Sequence, residues 1–273
     1  RHSIGVSVLA GTGTAMERDY DYDTKVYGSD LADAESIGRS AGEKAVKRLN
    51  PQKVSTQQAP VIFDPRVANT IPGHMSSAIN GSSVARGTTF LKDAMGTQIF
   101  ADGVTIVDDP HRRRGLRSKP FDGEGVATRR LNVVEDGRLT TWILDCRSAR
   151  QLKLVTTGHA SRGTSSPPSP SASNLYMEAG SVSPQDLIGD IKQGLYVTEL
   201  IGMGVNGVTG DYSRGCSGFW IENGELTFPV SELTIAGNLK DMFKAITPAD
   251  DLEFKYGTNA PTLRIDGMTV AGK

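Results

Sequence analysis

Four histidines (His2, His74, His111 and His159) and two cysteines (Cys146 and Cys216) are the side chains of this 273-residue chain that could ligate a metal or activate a nucleophile. Zinc hydrolysis needs about three protein ligands and an open position for water. None of the four histidines has a second His or a Cys at ligand spacing, and H-E-x-x-H is absent. Cys216 stands in Ser213-Arg214-Gly215-Cys216-Ser217-Gly218, a strand-turn context in which it reads as a small buried hydrophobe. A Cys-His nucleophile would have to join Cys216 or Cys146 to a distant His. No nucleophile elbow is read in the chain. The run Gly202-Met203-Gly204-Val205-Asn206-Gly207 matches G-x-G-x-x-G, but Thr209-Gly210-Asp211-Tyr212 leads into a further strand. Without a helix N-terminus to receive a pyrophosphate, these read as hairpin glycines.

The densest charge is Arg112, Arg113, Arg114, Arg117 and Lys119, preceded by Asp108-Asp109-Pro110-His111. Such a cluster can grip a phosphate or a carboxylate. No aromatic residues interleave, as a single-strand nucleic-acid platform would require. A solvated or interface loop is the first reading, and a peptide-carboxylate or partner contact the second.

The elements that position these residues follow from composition and pattern. Hydrophobic residues at 37 % and charged residues at 22 % suffice for a buried core. Gly, at 31 residues, exceeds the usual ~7 % and implies many tight turns, hence a strand-rich fold. A net charge of −1 gives no global pull toward DNA or anionic lipid. Two cysteines without C-x-x-C spacing read more simply as free thiols in a reducing cytoplasm than as a disulfide. There is no apolar run of the ~20 residues that span a bilayer, and no charged-then-apolar leader. The chain opens at Arg1 directly in a strand-like alternation (Ile4, Val6, Val8), which reads as part of a longer cytoplasmic protein.

Strands are predicted at 4–10 and 16–23, then a helix capped by Asp30 with Leu31, Ala34, Ile37, Ala41, Ala45 and Leu49 on one face. Asn50-Pro51 ends it, and the polar stretch 51–59 reads as a linker and domain boundary. A buried strand at 61–63 and a helix over 65–79 follow. A hairpin at 126–134 and 139–145 turns on Glu135-Asp136-Gly137, before a helix at 147–153. Ser161 to Ser173 lacks a large apolar residue and reads as a long mobile loop. Beyond it lie helices at 184–192 and 238–246 and strands at 195–201, 205–213, 217–222, 225–228, 252–256 and 262–270. The fold class is α+β: a β-rich C-terminal domain with several helices, residues 51–273, preceded by the end of a smaller α+β domain, residues 1–50.

Several segments, in order, resemble the TldD/PmbA (modulator of DNA gyrase) family: Val61-Ile62-Phe63-Asp64-Pro65, Asp108-Asp109-Pro110, Pro120-Phe121-Asp122-Gly123-Glu124-Gly125, Gly210-Asp211-Tyr212-Ser213-Arg214-Gly215, Ile221-Glu222-Asn223-Gly224-Glu225 and Ile235-Ala236-Gly237-Asn238. Residues 1–50 resemble the end of the family's central region and 51–273 its C-terminal domain, together the C-terminal two-thirds. TldD-type members carry H-E-x-x-x-H on a helix and a further Cys ligand near the C-terminus. The corresponding helix here reads His74-Met75-Ser76-Ser77-Ala78-Ile79, and Lys255-Tyr256-Gly257-Thr258-Asn259 contains no Cys. Met cannot serve as a general base, nor Ile as a ligand.

The resemblance therefore implies a TldE/PmbA-type subunit with no cofactor of its own. It implies activity in proteolysis and peptide maturation only beside a TldD-like zinc peptidase subunit, in a homo- or hetero-oligomer that handles peptide, with no membrane and no direct nucleic-acid contact. His74, Arg112, Arg113 and Arg114 are the candidates for peptide or partner contacts. The alternative is a non-proteolytic regulatory binding protein acting on a partner such as gyrase. A third reading is an autonomous hydrolase using Cys216.

Overall fold

A computed structural model describes residues 1–273. Alternation at the start of the chain gives β1 (His2–Ala10), which pairs antiparallel with β2 (Glu17–Lys25) in a sheet of their own. α1 (Ala34–Lys47) covers this pair and buries Ile37, Ala41 and Ala45, one stripe at helical spacing. Its cap is Asp33 rather than Asp30, because the Asp33 carboxylate is the one that reaches the Ser36 amide, at 2.9 Å. Asp30 ends a short 3-10 turn before the helix, leaving Leu31 outside it.

β3 (Gln57–Phe63) starts at Gln57, inside the stretch read as a linker. The last strand of the chain supplies ladder partners even for the polar Gln57 and Gln58, which face Val270 and Thr269. The single helix expected over 65–79 is broken into α2 (Pro65–Ala68) and α3 (Thr70–Ala78), followed by α4 (Gly81–Ala85). Asp64 caps α2 by accepting from the Arg66 amide at 3.0 Å. Pro72 falls in the first turn of α3, where an absent N–H leaves nothing unpaired. Ile71, Met75 and Ala78 are the buried stripe of α3.

β4 (Ile106–Asp108), β5 (Leu131–Glu135) and β6 (Arg138–Leu139) follow. The β5–β6 hairpin is shorter than predicted, since Phe121 bridges Ala127 and Ile143 bridges Asn80 instead of extending the ladder. Its turn, with φ of 47° at Asp136 and 72° at Gly137, suits strand twist and favours Gly at the second position. α5 (Cys146–Leu152) begins with a capping box between Asp145 and Ser148. The segment 161–173 is not the long mobile loop expected. β7 (Ala160–Ser161) pairs with β8 (Ser169–Pro170), and the buried Ser173 donates from its amide and hydroxyl to Asp108 at 2.7 and 2.6 Å. Hydrogen bonds to a buried carboxylate supply the anchor that composition lacks.

β9 (Leu175–Met177), α6 (Pro184–Gly189) and β10 (Gln193–Ile201) lead to β11 (Asp211–Glu222) and β12 (Glu225–Asn238). The strands expected at 205–213 and 217–222 are thus one, and residues 205–210 belong to the turn before it. In that turn a Cβ on Gly204 would sit 1.6 Å from the Ser213 carbonyl, so only glycine fits. α7 (Leu239–Lys244), β13 (Ile246–Pro248), β14 (Thr258–Asn259) and β15 (Leu263–Ala271) complete the chain. No strand forms at 252–256, where the Lys255 and Tyr256 amides donate to the Asn259 side chain at 3.0 and 2.8 Å.

The larger sheet has the order β12-β11-β10-β3-β15-β13, and a further β12–β15 pairing closes its first five strands into a ring. The second sheet runs β14-β9-β4-β5-β6. Apolar residues of both sheets, among them Val61, Leu263, Ile106 and Val134, join Met75 and Ile79 in one core. The chain is α+β and strand-dominated, as its glycine content predicts. No helix is long and apolar enough to cross a membrane.

Candidate functional site

The buried stripe of α3 fixes that helix's rotation and sets His74 beside β11. Alternation along β11 puts Tyr212 and Arg214 on one face of the strand. The His74 and Tyr212 rings meet edge to face with centroids 5.9 Å apart. His74, Ser77, Thr89, Phe90, Met203 and Arg214 are among the residues lining a cavity of about 300 Å³. Burial, and after it the Arg214 charge, lower the His74 pKa from 6.5 to about 4, so the imidazole is neutral near pH 7. His74 Nε2, Tyr212 Oη and Arg214 Nε are buried without a hydrogen-bond partner.

The arginine cluster is not brought to this cavity. The Arg112 guanidinium lies 3.3 Å from the centre of the Phe254 ring. Arg114 pairs with Asp30 at 2.5 Å and covers the Tyr27 ring at 4.6 Å, tying the loop to the N-terminal turn. Arg113 is exposed. Arg117 lines a separate polar cavity of about 250 Å³ with Asn80 and Ser77, on another side of α3. Of the sequence-derived candidates, only His74 faces the cavity.

Nucleophile chemistry finds no support in the geometry. Cys216 is 1 % exposed, and burial pushes its thiol up to about 12. Cys146 is also held above its ordinary value, first by the Glu124 side chain. The spacing of a nucleophile elbow does occur once, at Gly38-Arg39-Ser40-Ala41-Gly42, but it lies inside α1, where Ser40 donates to Asp21. His159, Asp108 and Ser173 come together without forming a triad. His159 meets Asp108 at 3.0 Å and Thr157 at 2.9 Å, and Ser173 bonds Asp108 rather than the imidazole. All three are at most 3 % exposed, closed to any substrate.

A third cluster joins the β1–β2–α1 unit to the larger sheet. Asp19, 2 % exposed, receives Arg66 at 2.7 Å and Arg48 at 3.4 Å, and Arg48 reaches Glu199 at 2.6 Å and Ser217 at 2.7 Å. Burial raises the Asp19 pKa, but bonds from Arg66 and the Tyr20 amide, with the charges of Arg66 and Arg48, outweigh it and hold the group below 3.8.

Sequence reasoning passed over Tyr212 and Arg214 as site residues. The available signal was an Arg two residues from a Tyr in a strand, a spacing that puts both on one face.

Residues 56–272 match the PmbA/TldA metallopeptidase C-terminal domain, and residues 1–49 match the central domain of the same proteins. The chain is 44 % identical to Metalloprotease PmbA of Escherichia coli O157:H7 over 274 residues, covering 100 % of this chain and 59 % of that protein. In structure it is similar to a putative modulator of DNA gyrase from Bacteroides thetaiotaomicron, with a TM-score of 0.89, 30 % identity, and coverage of 99 % of this chain and 60 % of that one. It shares its fold with TldE from Thermococcus kodakarensis, with a TM-score of 0.86, 24 % identity, and coverage of 99 % and 62 %. The chain thus spans about three-fifths of the relatives it matches. A metallopeptidase description implies a metal, and the residues present do not fit one. No group of three His, Cys, Asp or Glu side chains that could hold a metal ion forms in the chain, and the positions one and five residues after His74 hold Met75 and Ile79, both 0 % exposed in the core.

Proposed function

The chain belongs to the PmbA/TldD metallopeptidase family, and from that premise we propose that it is a metal-free, TldE/PmbA-like subunit of a TldD/TldE-type peptidase complex active in proteolysis and peptide maturation. The observation that carries this reading is α3 itself. His74 stands alone there, while the helix spends Met75 and Ile79 on the core, so neither a metal nor a general base is available. A TldD-like partner would bring both, and this chain would contribute enclosure and contacts to extended peptide. The boundary between a domain ending near residue 50 and a domain of residues 51–273 is part of the proposal. So is cytoplasmic residence, which the two free thiols support. A second reading, a non-proteolytic regulatory partner of gyrase, is favoured by the likeness to the putative gyrase modulators of Bacteroides thetaiotaomicron and Thermotoga maritima.

Reconstitution tests the proposal. Full-length protein, its Cys216→Ala variant and a zinc-bearing TldD-like relative are assayed singly and mixed on an unfolded peptide. Hydrolysis is expected only with the partner, stimulated equally by wild type and Cys216→Ala. Hydrolysis by this protein alone, abolished by Cys216→Ala, would establish a cysteine hydrolase instead. A mixture no faster than the partner alone would favour the regulatory reading.

A further inference from the structure

Among the buried and partly buried arginines of this chain, Arg112 and Arg214 lie against no carboxylate, and Arg112 lies instead over the Phe254 ring. Arg48, Arg66 and Arg264 each lie against a carboxylate, at 2.6, 2.7 and 2.5 Å. Arg214 faces a cavity whose lining contains no Asp or Glu, and its Nε is buried without a partner. Two further polar atoms beside it, His74 Nε2 and Tyr212 Oη, share that condition. Burying an unpaired polar group is costly, and a cation more so. Two of these residues, His74 and the cationic Arg214, line one cavity, with Tyr212 packed edge-on behind His74, and they mark where the acceptor atoms of an anionic ligand complete the set. Part of the remaining wall is apolar, formed by Ala78, Phe90, Val205 and Leu239. The volume, about 300 Å³, is at the small end of ligand pockets, which begin near ~300 Å³.

We propose that the cavity lined by His74 and Arg214 is a carboxylate-binding site that takes the C-terminal residue of a peptide, with an apolar side chain. The planar guanidinium fork matches a planar carboxylate with two parallel hydrogen bonds. The imidazole, in its Nε2–H tautomer, supplies an additional donor without adding charge. Phe90 and Leu239 receive the side chain. Inorganic phosphate would satisfy Arg214 but leave the apolar wall empty. The identity of the ligand as a peptide end rests on the peptide-handling function proposed above; the carboxylate chemistry does not.

Calorimetric titration of the protein with N-acetyl-leucine, N-acetyl-leucinamide and inorganic phosphate reads the site. The acid is expected to bind, with the amide weaker by about tenfold or more, as loss of a charge-assisted pair implies, and phosphate weaker than the acid. Arg214→Gln should erase the preference for acid over amide, and Arg214→Lys should retain part of it. Equal affinity for acid and amide, no binding of the acid, or tighter binding of phosphate would overturn the assignment. Should Arg214→Gln fail to fold, the acid-to-amide ratio on the unmodified protein decides. The two proposals fail separately. Turnover in the reconstituted mixture without acid preference overturns the site and leaves the subunit, whereas acid preference without turnover does the reverse.

Discussion

His74 titrates near pH 4 rather than 6.5 because burial, and then the neighbouring Arg214 charge, disfavour its proton. As pH falls, the unfolded chain therefore takes up this proton first. The stability that depends on a neutral His74 is complete above 6.5 and is lost as pH falls toward 4. Replacing His74 with Gln removes the titration, so denaturant midpoints measured between pH 6.5 and 4 should fall less steeply in His74→Gln than in the parent. Identical slopes would mean that His74 is solvated and that the cavity is not built as described. His74 was legible in the sequence because its residue type and its place in the family-like helix drew attention. Arg214 was not, because its significance lies in what it lacks. A missing ion pair is visible only once strand register places every acid elsewhere.

Elements locked by side-chain charge are the least legible part of this fold. Helix α1 and the β5–β6 turn follow from periodicity and turn chemistry, although the α1 cap moves to Asp33 for want of a local rule favouring it over Asp30. The anchoring of 161–173 to Asp108, and of the β1–β2–α1 unit through Asp19, depends on partners far away in sequence. Asp19→Asn leaves Arg66 and Arg48 short of a counter-charge in a buried junction, and such a loss typically costs ~3 kcal/mol of stability. Chemical denaturation of the variant checks this, and a change within measurement error would mean that water already pairs the arginines. Inside the β1–β2–α1 unit, Asp21 is held at about 2 despite burial, by bonds from Lys44 and Ser40 of α1. Because the folded value lies below 3.8, this contribution is present above pH 3.8 and disappears as pH drops toward 2. The tip between β7 and β8, residues 162–168, is mostly exposed, and we expect limited trypsin digestion to cut first at Arg162. A first cut within Arg112–Arg114 would instead mean that the contacts of Arg112 to Phe254 and of Arg114 to Asp30 are weaker than those of the tip.

At the scale of the whole molecule, a closed ring of strands and a second sheet share one core, and α3 is clamped between that core and the cavity. The strand-rich character was readable from glycine content. The ring closure was not, since the β12–β15 pairing joins segments whose sequences carry only ordinary strand signals. The same core explains why α3 cannot easily recover a metal. Glu at position 75 or His at position 79 would enter fully buried apolar space. Metal analysis of the full-length protein, purified without chelator and then equilibrated with equimolar zinc at neutral pH, tests this central claim most directly. The account predicts no stoichiometric zinc. One tightly held zinc per chain, lost on His74→Ala, would contradict it.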